Sequence, residues 1–261
     1  MRVIGVVVMM AAAGAGPLAA QGVRGEIAAG IAARNARDPA TALPHFQAAL
    51  ALDSTSYEAN WRGALALIDI GKATPDRVKS PARDSLYALA EVYAHRAVTA
   101  NPGDAEGHFA LANAIGRASL TRSQKERVRD AGEIRREALR AIELDPRHDG
   151  AWHVLGRWNA EIMRLSGLTR FLAKSFLGAG VFREASWQAA IDDLERAVNL
   201  NPSRIYHHLD LAEVYIDQER YGAARVQLQA IAGLPLSDPQ DEAYKRQATD
   251  LLRKIAGRGE S

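Results

Sequence analysis

Small or apolar residues recur in this chain at fixed offsets: one residue, another four on, a third seven on, a Pro or Ser twelve on, and a Leu/Gly/Ala pair nine further. Ala42, Phe46, Ala49 and Ser54 open the series. Ala90, Ala94, Ala97 and Pro102 repeat it, then Ile134, Ala138, Ala141 and Pro146, then Ala190, Leu194, Ala197 and Pro202. The pairs that follow are Gly63-Ala64, Leu111-Ala112, Leu155-Gly156 and Leu211-Ala212. Ala29-Gly30 precedes the first block, and Ala224, Leu228 and Ile231 follow the last. Residues four and seven apart share one helical face, and small ones there let two helices approach closely. In Asn101-Pro102, Asp145-Pro146 and Asn201-Pro202 the residue before Pro is driven out of the α region, so a helix ends there.

Each unit therefore reads as helix A, turn, helix B, stop, which is the tetratricopeptide pattern. The expected fold is all-α: a tetratricopeptide-type α-solenoid of five helix-turn-helix units, about 23–54, 57–102, 105–146, 149–202 and 205–236, plus a C-terminal capping helix over 238–256. Asp238 is its expected N-cap, with Pro239 in the first turn. Such arrays stack into a concave groove suited to binding a partner.

Residues 1–20 read as a signal peptide: Met1-Arg2, an apolar run from Val3 to Ala13, then Pro17-Leu18-Ala19-Ala20 before Gln21. The expected protein is exported to the periplasm and cleaved near Ala20/Gln21. Cysteine is absent, which excludes disulfides and thiolate metal sites, and 33 Lys and Arg against 31 Asp and Glu give no general case for nucleic acid.

The insertions are not scattered. From the helix A pair to the first helix B anchor is short in unit one (Gly30 to Ala42) and unit five (Ala212 to Ala224) but long in units two, three and four. All the extra chain falls at the A–B turn, along one edge of the solenoid. In unit two Ser80-Pro81 reads as N-cap and first position of a long helix B. In unit three Thr121 is the expected cap of a helix running to Leu144, whose charged face would be stitched by pairs such as Arg129–Glu133 and Glu137–Arg140. The same basic residues would also suit an acidic partner or a lipid head group. In unit four the stretch 165–183 has no acid and carries Phe171, Phe176 and Phe182 with Arg170, Lys174 and Arg183. It suits a core patch, a lid over a groove formed by Phe171, Lys174 and Phe176, or a membrane-surface element.

Trp152-His-Val-Leu-Gly-Arg-Trp158, Leu165-Ser166, Lys174-Ser-Phe-Leu-Gly178, Ala185-Ser-Trp-Gln-Ala-Ala190 and Asn201-Pro-Ser-Arg-Ile-Tyr-His-His-Leu-Asp-Leu-Ala212 resemble the tetratricopeptide domain of the regulator of microtubule dynamics family and its bacterial relatives. The resemblance spans about 100–260. It implies a helical repeat domain that binds partners and carries no catalytic constellation.

The chain has no His-Glu-x-x-His, no phosphate-binding loop and no Gly-x-Ser-x-Gly elbow. His207 and His208 point about 100° apart on a helix, poor geometry for one metal. No enzyme activity, cofactor or metal is expected. Trp152 is placed by register between its own helices as core, and Trp187 at the A–B contact of unit four. Trp61 and His153 lie two before their pairs, on the helix A face that lines the groove, in register with Phe109, Leu209 and Ile27. One turn on, that face carries Leu65, Asn113, Arg157 and Glu213. The candidate groove residues are Trp61, Asn113, His153, Arg157 and Glu213. Ala110, Gly150 and Val154 stand where chaperone-binding repeats clamp a terminal carboxylate, so that partner class is not expected. Two functions remain: a non-catalytic exported scaffold whose groove binds a peptide or protein segment, or a carrier of an apolar ligand such as a lipid under 165–183.

Overall fold

A computed structural model describes residues 17–165 and 184–259. Phe171, Lys174 and Phe176, the apolar run of the leader and the core, lid or membrane alternatives for 165–183 lie outside the described residues. Within them the chain forms α1 (Pro17–Asn35), α2 (Pro39–Leu52), α3 (Tyr57–Gly71), α4 (Pro81–Ala100), α5 (Ala105–Ala118), α6 (Gln124–Leu144), α7 (Asp149–Arg164), α8 (Trp187–Leu200), α9 (Ile205–Asp217), α10 (Tyr221–Gly233) and α11 (Asp241–Lys254). No strand is present among the described residues. Successive helices pack in antiparallel pairs, α1 with α2 through α9 with α10, and α11 closes the array against α9 and α10. This is an all-helical solenoid. Helix α1 starts at Pro17, a few residues upstream of the expected cleavage site.

The turns from helix B to the next helix A are built alike. Asp53, Asn101, Asp145 and Asn201 each leave the helix with extended backbone, φ between −136° and −147°. Asp53 adopts this shape although Ser54, not Pro, follows it. Its carboxylate accepts from Thr55 N at 2.9 Å, as the Asp145 carboxylate accepts from Arg147 N at 2.9 Å and the Asn101 side-chain oxygen Oδ1 from Gly103 N at 3.2 Å. A short side chain that binds the backbone two residues on ends the helix whether or not Pro is present. Six residues after each Pro or Ser, a polar side chain donates back to that residue's carbonyl. Asn60 reaches Ser54 O at 3.0 Å, His108 Pro102 O at 3.1 Å, Trp152 Pro146 O at 3.0 Å and His208 Pro202 O at 2.9 Å.

That staple corrects the placement of Trp152. Its indole N–H is taken by the turn and the ring is only half-buried, whereas Trp158 is the core indole, buried with Nε1 donating to Ala131 O at 2.8 Å. Trp187 is half-buried against the cluster that holds Ala190 and Leu194. Ile27, expected on the groove face, is buried instead with Val23, Ala49, Leu50 and Ala59.

The two undecorated A–B turns share one device: Arg37 and Glu219 sit at φ 64° and 57°, the left-handed geometry of a tight helix end. The decorated turns differ. Ser80 caps α4 through Arg83 N at 3.3 Å, with Pro81 at its first position. In unit three the cap is Ser123, not Thr121: Ser123 and Glu126 form a capping box, while Thr121 ends a 3-10 turn over Ser119–Thr121. The α6 acids also pair differently from expectation. Glu137 meets His108 at 2.6 Å, Glu133 meets Arg136 at 3.3 Å and Arg140 meets Glu143 at 2.8 Å. Buried His108 captures Glu137 because a neighbouring helix offers it a shielded partner, which a surface i,i+3 pair cannot match. Asp238 does not cap the last helix. The Asp241 carboxylate accepts from Ser237 N at 2.6 Å and Asp238 N at 2.7 Å, which folds the 237–240 turn onto the start of α11 and leaves Asp238 to pair with Arg204 at 2.6 Å.

Candidate functional site

The inner helices α1, α3, α5, α7 and α9 curve around a cavity of about 730 Å³, and α11 swings across its end. The Gln240 amide just before α11 donates to Asp69 O at the end of α3 at 3.4 Å, joining points 171 residues apart. The five residues singled out from register, Trp61, Asn113, His153, Arg157 and Glu213, all line this cavity, with Leu65, Phe109 and Leu209 of the same register. They meet there because helix A of every unit turns the same face inward, so one offset in the repeat marks one stripe of wall.

Several of these side chains already have partners. The Arg62 guanidinium lies over the Trp61 ring at 4.1 Å. His153 donates Nε2–H to Asp210 Oδ2 at 3.0 Å, and Arg157 holds the same oxygen at 3.0 Å. The Nδ1 of His153 faces the Nδ1 of His207 at 3.1 Å, and His207 Nε2 reaches Asp149 Oδ2 at 2.8 Å. Asp149, His207, His153, Asp210 and Arg157 thus form one chain between α7 and α9, with Tyr206 packed edge-on to both imidazoles at 4.7 and 4.4 Å.

The electrostatics follow from burial and partners. Burial lowers His207 to about 4 despite the Asp149 contact. His153 is lowered by the same desolvation. Asp149 falls to about 2: desolvation is the largest single effect and raises it, but the hydrogen bond and charge of His207, the Arg204 charge and the Asn201 hydrogen bond together outweigh it. Asp210 lies well below the carboxylate range because Arg157 and His153 outweigh its burial. Glu213 goes the other way. Burial first, then the nearby Asp210 charge, push it up to about 7.

Register alone did not reveal the rest of the wall. Asp69 and Lys72 come from the end of α3 and the unit-two insertion, Arg204 and Tyr206 from the start of α9, and Tyr244 and Gln247 from α11. The one sequence signal was Lys72's place in the extra loop of an elaborated edge. A second cleft of about 590 Å³ lies between α5, α6 and α7, with Leu120, Val128, Ile134, Trp158 and Leu165 on its apolar side. His207 and His208 point apart, His208 to Gln227 Oε1 at 2.7 Å, and no group of three or more potential metal ligands occurs among the described residues. No helix among them is long and apolar enough to cross a membrane.

The family model of regulator of microtubule dynamics protein 1-3 matches residues 32–256, nearly the whole solenoid. The chain belongs to that family. A curated member, regulator of microtubule dynamics protein 1 of Caenorhabditis elegans, is 29% identical over 130 residues, 50% of this chain and 57% of that protein. The chain therefore spans little more than half the length of this relative. Among solved structures, a thermophilic TPR protein of Thermus thermophilus superposes with TM-score 0.61 at 18% identity, covering 88% of this chain and 99% of that one. The pilF protein of Pseudomonas aeruginosa does so with TM-score 0.53 at 14% identity, covering 92% and 94%. At these identities the likeness is one of fold alone, that of a tetratricopeptide α-solenoid.

Proposed function

We propose that this member of the regulator of microtubule dynamics family is an exported, non-catalytic scaffold whose central cavity holds a short segment of a protein or peptide partner. The observation that carries this reading is the cavity wall itself. Helices from all five units and the cap contribute to it, and its volume falls in the range of about 300–1,000 Å³ that suits a compact ligand. Trp61 and Phe109 give an apolar surface and Asn113 an uncharged amide for a backbone. Most of the charged groups are satisfied by one another: Arg157 with Asp210 at 3.0 Å, Arg204 with Asp238 at 2.6 Å and Arg117 with Asp76 at 3.4 Å. Groups so paired are poor acids, bases or nucleophiles, and they fix a rigid receptor instead. Export rests on the leader pattern of residues 1–20, and N-terminal sequencing of periplasmic material tests it by the presence of a terminus within three residues of Gln21.

The groove reading is tested by selecting short peptides on the purified protein and measuring their affinity for an Asn113→Trp variant, in which the added indole occupies the cavity. Selected peptides should lose at least about tenfold in affinity. Unchanged binding would place the peptide site elsewhere. A lipid co-purifying with the wild type and lost from the variant would replace the peptide by an apolar ligand.

A further inference from the structure

His153 of α7 and His207 of α9 meet nitrogen to nitrogen, Nδ1 facing Nδ1 at 3.1 Å. Each ring is fixed from behind by a carboxylate on its other nitrogen: Asp210 at 3.0 Å from His153 Nε2, and Asp149 at 2.8 Å from His207 Nε2. A ring nitrogen turned to a carboxylate carries the proton, so in the neutral form both Nδ1 atoms are bare lone pairs. Two lone pairs at that distance repel unless a positive centre lies between them. A single proton would serve, but a straight N–H···N bond of that length would set the ring centroids about 5.4 Å apart. They are 4.9 Å apart with planes inclined by 42°, so the two nitrogens are bent off a common axis. Two imidazole nitrogens bound about 2.0–2.1 Å from one tetrahedral ion stand about 3.3–3.4 Å apart, close to the spacing found here. Metal-binding imidazoles also donate their far N–H to a carboxylate or carbonyl, and both rings have that support in place.

We propose that His153 Nδ1 and His207 Nδ1 form a two-histidine site for a divalent transition ion of the zinc, copper or nickel class, with Asp210 and Asp149 orienting the rings. His153 lines the central cavity and gives the ion its way in, while His207 is fully buried behind it. No third His, Cys, Asp or Glu joins the pair among the described residues. Two positions of a tetrahedral ion are then left for water or for donors of a bound molecule. Arg157 already shares Asp210, and Lys72 and Arg204 line the same wall, so the ion is held by its ligand bonds and not by surplus negative charge. In the chain His207 stands beside His208, but its facing partner lies 54 residues away. The site does not depend on the scaffold reading.

The test uses the full untagged chain with zinc ion alone as the probe. Calorimetry at neutral pH should show one ion per chain, and the imidazole nitrogen resonances should move at Nδ1 of both His153 and His207 while each Nε2 keeps its proton. His153→Gln should weaken binding at least about tenfold, and Asp149→Asn, which loosens only the ring in front of it, about 10–100-fold. His95→Gln, which removes an exposed ring beside Glu91, should change nothing. Melting curves run on each variant, and if Asp149→Asn does not fold, His153→Gln and the wild-type resonances decide. The site is overturned if zinc does not bind, if His153→Gln binds it undiminished, or if one proton shared between the Nδ1 atoms stays in place at saturating zinc. If zinc gives the expected signature and no selected peptide binds the cavity, the ion site stands and the peptide reading falls.

Discussion

His153 and His207 face each other through Nδ1 atoms 3.1 Å apart, and each turns its Nε2 to a carboxylate. Both Nε2 atoms must donate, so at most one further proton fits between the rings, and burial opposes its arrival. His207 titrates in the fold at about 4 against 6.5 when unfolded, and Asp149 at about 2 against 3.8. Both folded values are lower, so the unfolded chain binds more protons. Stability falls with pH from about 6.5 towards 4 through His207, then from about 3.8 towards 2 through Asp149. Asp193, raised from 3.8 to about 7, and Glu213, raised from 4.5 to about 7, both chiefly by burial, act in the opposite sense: their contribution is full below the unfolded value and is lost as pH rises towards and through about 7. Replacing His207 with Gln should flatten the acid limb: the urea midpoint should drop less between pH 6.5 and 4.5 than in the wild type. An equal drop in both proteins would remove His207 as its source. None of this pairing was legible in the sequence, where His153 is a groove register position and His207 is weighed only beside His208 as a poor metal pair, with no sign of a contact between them.

Element contacts explain why small residues mark the repeat. A Cβ on Gly156 would lie 2.7 Å from Leu194 Cγ, 3.1 Å from Leu194 N and 3.2 Å from Ala190 O. Two of those atoms are α8 backbone, so α7 and α8 must part to admit it. Gly156→Ala should cost about 1–3 kcal/mol despite the higher helix propensity of Ala. Gly25 on α1 meets nothing within 4 Å, so Gly25→Ala should gain about 0.5–1 kcal/mol. Denaturant unfolding of the pair separates packing from propensity, and a destabilised Gly25→Ala would contradict the open space assigned to it. Leu155-Gly156 was visible in the sequence as one of four equivalent pairs. Register placed Trp152 in the core and gave Trp158 no role, although both lie within one turn of that pair and only the neighbouring helix decides which indole is enclosed.

Across the whole molecule the core is a string of clusters rather than one centre, so each unit depends on its neighbours. Leu155 is 7% exposed among Ala112, Ala131, Ala138, Trp158 and Ile162, residues of α5, α6 and α7. Leu155→Asp should cost several kcal/mol, roughly, as an unpaired charge forced into that cluster. Hydrogen exchange should then show protection lost across α5 to α8 together, ahead of α1 and α2. Loss confined to the last turns of α7 would contradict the coupling. The contact between Gln240 and Asp69 O bears on the same scale, since it ties the cap to the second unit and bounds the cavity.

The sequence by itself determined the helix pairs, their stops and the inward stripe from Trp61 to Glu213. These depend on spacing within one helix, where the 3.6-residue period fixes which side chains share a face, and on turn chemistry within a few residues of Asp53, Asn101, Asp145 and Asn201. Only the tertiary structure decided what meets across the cavity: Asp69 with the Gln240 turn, His153 with His207, and Glu213 with Gln247. Those meetings depend on superhelical curvature, which accumulates from small rotations at each helix interface and leaves no mark in the local pattern. Ile27 shows the limit of register: it shares the offset of Trp61 and is buried to the same degree, yet it packs with Val23 and Ala49 and does not line the cavity as Trp61 does.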